Sequence, residues 1–276
     1  MLQVWTKIVK QDALKSEETG QGEDMITLVK RTVPKPLYSN LRRYVRSAIG
    51  FARKWQSRDG IVTLRGLRLD ISHPQVSDRI RLHILRGSYE SHEARLISKY
   101  LRRGDRVLEL GAGMGYATML SARIVGGQSV FAYEANPALE VLLKRNFELN
   151  GLSPNLEIAL LGESDGSETF YVTDDFFSSS SIPEMGGTPI EVPRKDINSV
   201  LAQHRPNVLI VDIEGGEVNL SKIVNSDNIR LLIIECHPSM VGFSEIQEMI
   251  NRFEEQGFRS RRYGDEGAVF QYVGEK

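Results

Sequence analysis

The segment Val107-Leu108-Glu109-Leu110-Gly111-Ala112-Gly113-Met114-Gly115 constrains this chain most, because an apolar run passes through three glycines into a helical pattern. Glycine lets the backbone turn tightly between strand and helix, and the helix's first amides then point at one spot. The same alternation continues downstream. The spacing predicts a strand over 106–110, a helix over 114–125, a strand over 129–133, and a helix that Asn136 caps and Pro137 begins. A third strand is expected over 156–161, small strands near 169–172 and 190–192, and a short helix capped by Asp196. Val208 to Ile213 and Leu231 to Cys236 are continuous apolar runs, as parallel strands covered on both faces should be. Ser244 to Gln247 reads as a capping box that opens a helix burying Ile246, Met249, Ile250 and Phe253 and closing at Gly257. Phe258 to Tyr263 and Ala268 to Val273, joined by Gly264-Asp265-Glu266-Gly267, read as an antiparallel hairpin. The fold class is therefore α/β: a doubly wound, mostly parallel sheet of about seven strands with a C-terminal antiparallel hairpin.

The length of 276 residues suits one large domain or one domain with an appendage, at roughly 150 residues per domain. The α/β pattern is expected over 88–276, leaving 1–87 as a basic extension in which Ile61 to Ile71 forms a small hairpin turning at Arg65-Gly66. Glu93 to Leu101 reads as a helix at the start of the α/β part. The net charge of -1 hides an asymmetry: residues 1–100 carry 19 Lys+Arg against 10 Asp+Glu, and residues 101–276 carry 16 against 26. Residues 30–58 hold nine basic side chains and no acid, and Leu41, Tyr44, Val45, Ala48, Ile49 and Ala52 follow helical spacing. Such a basic amphipathic helix suits packing on the body with its arginines in water, or peripheral contact with an anionic membrane or a glycolipid. Few aromatic residues sit among these arginines, which argues against nucleic acid as the partner. No run reaches the roughly 18 apolar residues of a membrane span. Met1 to Lys15, broken by Lys7, Lys10 and Asp12, has no apolar signal-peptide core. A cytoplasmic location is expected. Cys236 is the single cysteine, which excludes a disulfide framework and a thiolate zinc cluster.

Glu134 ends the second strand 19 residues after Gly115, where a carboxylate can accept both hydroxyls of a ribose. Two cofactor classes combine a glycine turn with a ribose acid: nicotinamide dinucleotides and S-adenosylmethionine (SAM). The dinucleotide fingerprint calls for a small residue at its sixth position, which here is Tyr116. SAM has no phosphates, and its sulfonium and ammonium favour nearby acids such as Glu109. SAM is the expected cofactor. An NAD(P)-dependent oxidoreductase is the alternative, but the Tyr272-x-x-x-Lys276 pair lacks the helical placement that a reductase proton relay needs.

A second constellation, Val211-Asp212-Ile213-Glu214-Gly215-Gly216-Glu217, ends the fourth strand, and Ile234-Glu235-Cys236-His237-Pro238 ends the fifth. Ligands of open α/β sheets bind at these carboxyl ends. Asp212 and His237 are candidates to orient or deprotonate an acceptor oxygen, with Glu214 in support. Glu217 fits equally well as a helix N-terminal acid, and Glu235 as a structural one. The same oxygen and imidazole donors could hold a divalent metal such as Mg²⁺, which ranks second to a metal-free site. Cys236 lies inside a strand and does not read as a nucleophile.

Glu109 to Gly115, Tyr133 to Pro137, Asn146 to Asn150 and above all Val211 to Glu217 resemble the FkbM family of SAM-dependent methyltransferases, with their class I Rossmann-like fold. The resemblance covers about Gly87 to Val273. It implies O-methylation of a hydroxyl on a sugar, glycan or secondary metabolite. It also implies that Glu109, Gly111, Gly113 and Gly115 line the methionine end of SAM, Glu134 the ribose, and Ala159 and Leu160 the adenine. Glu109 stands where the family usually has Asp, and Gly113-Met114-Gly115 replaces the commoner Asn-x-Gly. The loop 174–182, with serines at 178–181, and the N-terminal segment are the expected specificity elements. A SAM-dependent nucleic-acid methyltransferase guided by the basic arm is the competing reading, although no Asn/Asp-Pro-Pro-aromatic motif is present.

Overall fold

A computed structural model describes residues 59–173, 187–264 and 269–276. The basic amphipathic segment 30–58, the serine loop 174–182 and the hairpin turn at 265–267 lie outside the described residues. The described residues divide into two compact units, residues 59–72 with Asp78–Tyr89, and His73–Ser77 with the described part of 90–276.

In the first unit, strands β1 (Ile61–Leu64) and β2 (Leu67–Asp70) pair antiparallel with Leu64 opposite Leu67. Arg65 and Gly66, both at positive φ, make the two-residue turn expected there. Alternation buries Val62, Leu64, Leu67 and Leu69. Helix α1 (Asp78–Leu85), which sequence patterning did not indicate, adds Ile80 and Ile84 to that apolar set.

The second unit opens with α2 (Ser91–Tyr100) and β3 (Val107–Leu110), then α3 (Tyr116–Val125), β4 (Val130–Glu134), α4 (Glu140–Leu149) and β5 (Asn155–Ile158). Strands β6 (Leu160–Gly162), β7 (Gly166–Val172) and β8 (Thr188–Asp196) follow, then α5 (Ile197–His204), β9 (Val208–Val211), α6 (Leu220–Ile223) and β10 (Leu231–Cys236). Helices α7 (Pro238–Val241) and α8 (Phe243–Glu255) and strands β11 (Arg259–Tyr263) and β12 (Phe270–Glu275) complete it. The main sheet has seven strands in the order β11-β12-β10-β9-β3-β4-β5. Five of them are parallel, and β12 runs antiparallel to both β10 and β11. This is the doubly wound sheet with a terminal hairpin that the sequence predicts.

All four residues of β3 and of β9 are buried, because helices cover both faces. Leu108, Leu110, Leu209, Val211, Leu232 and Ile234 form one core with the α8 stripe of Ile246, Met249, Ile250 and Phe253. Truncating a fully buried phenylalanine such as Phe253 costs about 3–5 kcal/mol.

Capping follows the sequence in part. Asn136 accepts from Ala138 N at 3.0 Å and Asp196 from Ser199 N at 2.8 Å, closing the two helix starts expected at those residues. The capping box at Ser244 does not form. Helix α8 begins at Phe243 behind Gly242, and the Ser244 hydroxyl instead donates to Glu245 at 2.6 Å. The third strand also differs from expectation. Glu157 and Ile158 pair with β4, whereas Leu160 to Gly162 pair in parallel with Arg194 to Asp196 in a separate three-stranded sheet, β6-β8-β7. One apolar run therefore serves two sheets, with the change at Ala159.

Candidate active site

Strands β4 and β5 lie to one side of β3, and β9 and β10 to the other, so the winding reverses between β3 and β9. The carboxyl ends of those two strands frame the crevice where ligands of such sheets bind. Asp212 N donates to Leu110 O across this point at 2.9 Å. Gly111 is obligatory here. It sits at φ +83°, and a Cβ on it would lie 1.8 Å from the Asp212 carbonyl oxygen. The glycine thus makes room for the neighbouring strand as well as for a ligand.

A cavity of about 340 Å³ opens at this edge, within the size range of small-molecule sites at roughly 300–1,000 Å³. Gly111, Gly113, Glu134, Ala159, Leu160, Asp212 and Glu214 line it, which brings together seven of the ten predicted site residues. Gly115, Glu109 and His237 do not line it. Gly115, at φ +83°, faces Phe147 and Leu143 of α4, and a Cβ there would lie 2.7 Å from the Phe147 ring. It lets α4 pack beneath the turn. Asn146 of α4 holds that turn from below, donating to Met114 O at 2.9 Å. Tyr116, fully buried at the start of α3, occupies the place where a dinucleotide site has a small residue.

Glu134 closes one side of the turn, accepting from Gly113 N through Oε2 and from Asn136 N through Oε1, each at 2.8 Å. Burial pushes its pKa up to about 7 despite these bonds. A carboxylate oxygen has two lone pairs, so each can still accept from a ribose hydroxyl. Glu109 is 1% exposed on β3, beside Thr118 of α3, and its Oε2 is buried without a hydrogen-bond partner. Burial, reinforced by the charges of Glu134 and Asp212, raises it to about 8.

The second constellation gathers around His237, which is 4% exposed. Its Nε2 lies 3.3 Å from Glu214 Oε2 and 3.8 Å from both Asp212 Oδ1 and Glu235 Oε1, while Nδ1 lies 3.3 Å from Glu217 Oε1. His237 thus stands behind Asp212 and Glu214 as seen from the cavity. Burial disfavours a charged ring, but the bond to Glu217 and the charges of Asp212 and Glu214 prevail and raise His237 to about 9. Burial raises Asp212 to about 8 against the pull of His237. Burial, Asp212 and a hydrogen bond with Glu93 push Glu235 up to about 12. Glu214 holds a left-handed backbone at φ 45°, a strain of about 1–3 kcal/mol that functional sites commonly carry.

Asp212, Glu235 and His237 bring one ligating atom each within 4.8 Å of one another. These donors suit a divalent cation. Burial raises both carboxyls, so a cation there would compete with protons for the same oxygens. Cys236 is buried at the end of β10, with its thiol pushed up by burial.

Sequence reasoning missed the far wall of the cavity. Arg194 on β8 donates to Glu168 Oε2 at 3.0 Å, to Ser164 O at 2.9 Å and to Ser164 Oγ at 3.1 Å, and all three residues line the cavity. Only the β7–β8 register reveals this, by setting Gly166 opposite Arg194.

A glycine turn, a carboxylate at the end of the next strand and an acidic edge at the switch point define the Rossmann-like methyltransferase class of α/β protein. The sequence matches the methyltransferase FkbM domain over residues 109–260, more than half of the chain, and the protein belongs to that family. Among curated proteins it is similar to protein-L-isoaspartate O-methyltransferase 1 of Archaeoglobus fulgidus, at 34% identity over 87 residues, covering 31% of this chain and 39% of the relative. It is also similar to protein-L-isoaspartate O-methyltransferase of Methylorubrum extorquens, at 47% identity over 58 residues, covering 21% of this chain and 25% of the relative. The matches therefore span well under half of either relative. Among solved structures, a methyltransferase from Pyrococcus furiosus aligns at 15% identity and TM-score 0.45, covering 84% of this chain and 98% of that one. A SAM-dependent O-methyltransferase from Thermotoga maritima aligns at 15% identity and TM-score 0.44, covering 68% and 65%.

Proposed function

We propose that the protein is a SAM-dependent methyltransferase that methylates a hydroxyl oxygen of a sugar, glycan or secondary metabolite. The observation that carries this reading is the single cavity onto which the Gly111–Gly113 turn, the Glu134 carboxylate and the Asp212–Glu214 pair all open. Those residues fit the cofactor: Glu134 has acceptor capacity for a ribose, and Ala159 and Leu160 offer an apolar wall for adenine. SAM supplies, when bound, an electrophilic methyl group on a sulfonium.

Asp212 is the cavity-lining group placed to receive the acceptor's hydroxyl proton as the new C–O bond forms. His237 behind it supplies a counter-charge that favours the ionised form of Asp212. Glu214 completes the edge on the cavity side. Most of the acceleration would come from holding the two reactants in line. Residues 30–58 are proposed as a peripheral contact for an anionic membrane or glycolipid.

Calorimetry with SAM and its product S-adenosylhomocysteine, followed by incubation with methyl-labelled SAM and a panel of hydroxylated acceptors, tests this. Binding that Glu134→Ala abolishes, with base-stable label in an ether product, is expected. Failure to bind either compound refutes the cofactor assignment, and base-labile label indicates a carboxyl acceptor and refutes the hydroxyl assignment.

A further inference from the structure

Glu217 is fully buried, with 0% of its surface exposed, at the start of a short 3₁₀ turn after β9. A glutamate at a helix start normally faces solvent and caps its own turn. This one does more. Its Oε2 accepts from Gly215 N at 2.7 Å, closing the Asp212–Gly215 loop, while Oε1 reaches β10 and accepts from His237 N at 2.8 Å. The same oxygen lies 3.3 Å from His237 Nδ1. One carboxylate thus ties the loop that carries Asp212 and Glu214 to the backbone and the ring of the histidine that stands behind them.

We infer that Glu217 is a positioning residue that holds the His237 ring with Nδ1–H toward itself and Nε2 toward Asp212 and Glu214. The inference rests on the reading of this edge as the methyl-acceptor site. Glu217 already accepts from two backbone amides and is held as an acceptor toward Nδ1, which therefore directs its proton there, whereas Nε2 is shared among three carboxyls at 3.3–3.8 Å. The groups facing the ring are Glu217 at Nδ1 and Asp212, Glu214 and Glu235 at Nε2. Three of these could exchange a proton with Nε2, whereas Glu217 sets the ring's direction. Glu217→Gln would offer an amide that can donate to Nδ1, which favours the opposite tautomer and removes the charge supporting an imidazolium. A serine protease triad loses activity when its aspartate becomes asparagine for the same reason.

The test needs no acceptor. Nitrogen NMR of the uniformly ¹⁵N-labelled full-length chain, with the His237 signals identified from their loss in His237→Gln, reports which nitrogen is protonated and at what pH. Expected in the native chain is a proton on Nδ1 when the ring is neutral. In Glu217→Gln the neutral-state proton should move to Nε2, with S-adenosylhomocysteine binding retained. A native ring with its neutral-state proton on Nε2 overturns the inference even if the variant does not fold, and so does an unchanged tautomer in a folded variant. Failure of the native chain to bind S-adenosylhomocysteine would sink the cofactor reading and leave the histidine result to stand by itself.

Discussion

Glu109 is almost wholly buried beneath the glycine turn, and replacing it by glutamine should reshape the pH dependence of stability. The side chain is 1% exposed, and its pKa rises from 4.5 to about 8 because burial penalises the charged form. A carboxyl whose folded pKa lies above its unfolded value stabilises the fold at low pH, and that contribution is lost as pH climbs through the folded value. At 1.36 kcal/mol per unit, the native chain should lose about 4 kcal/mol between pH 5 and pH 9 from this group alone. Glutamine has the same shape and does not titrate, so Glu109→Gln should be spared that loss. Near 2.1 cal/mol/K per residue of unfolding entropy, about 4 kcal/mol corresponds to roughly 7 °C in Tm for a chain of this length. Thermal unfolding of both proteins in matched buffers from pH 5 to pH 9, compared as a difference, cancels groups that titrate alike in the two. The difference should widen with pH, steeply below pH 8 and little beyond it. Parallel curves would show that Glu109 ionises freely, and the account of a neutral acid beneath the glycine turn would be wrong.

Other consequences can be checked directly. Glu134→Gln should weaken SAM binding about 10-fold or more by calorimetry, because it replaces an acceptor-only group that already holds two backbone amides with one that also donates. Asp212→Asn should leave SAM affinity within about twofold while abolishing transfer, and in the native enzyme transfer should rise with pH through an apparent midpoint near 8 as Asp212 gives up its proton. A rate flat from pH 6 to pH 9 would exclude Asp212 as the base. Gly111→Ala places a Cβ 1.8 Å from the Asp212 carbonyl oxygen, and Tm should drop by the equivalent of about 3 kcal/mol or more as β3 and β9 are forced apart. Transfer should persist in EDTA, since burial holds Asp212 and Glu235 toward their neutral forms; loss of turnover restored by Mg²⁺ would assign those donors to a cation instead.

The main sheet was legible wherever hydropathy alone decides the matter. Val208 to Val211 and Leu231 to Cys236 are apolar throughout because both faces of each strand are covered, and no surface helix has that pattern. The same signal failed at Leu156 to Leu161, where the apolar run continues through a change of partner that only hydrogen bonding records. Helix α1 escaped notice because Ile80 and Ile84 are its only buried residues, set among Asp78, Arg79, Arg81 and His83. At the site, Asp212 and Glu214 could be placed because strand ends in an open α/β sheet point to one edge. His237 shares their edge by the same logic, yet it lies behind them, a matter of depth that one-dimensional spacing does not encode. Glu217 looked like an ordinary first-turn acid because its partner is His237, twenty residues away and just past the end of β10. Arg194 and Glu168 could not have been paired without the β7–β8 register.

The chain's change of sheets at Ala159 gives the cavity a floor and a wall of separate origin. Floor residues such as Gly111 and Asp212 belong to the seven-stranded sheet, whose register is locked by burial on both faces. Wall residues such as Gly162, Glu168 and Arg194 belong to the small sheet and are tied mainly to one another. Substitutions or insertions in β7 and β8 can therefore alter what the cavity admits without passing strain to the strands that carry the acids. A lineage built on this plan is free to diversify its ligands by rewriting one hairpin, while the acidic edge stays the same.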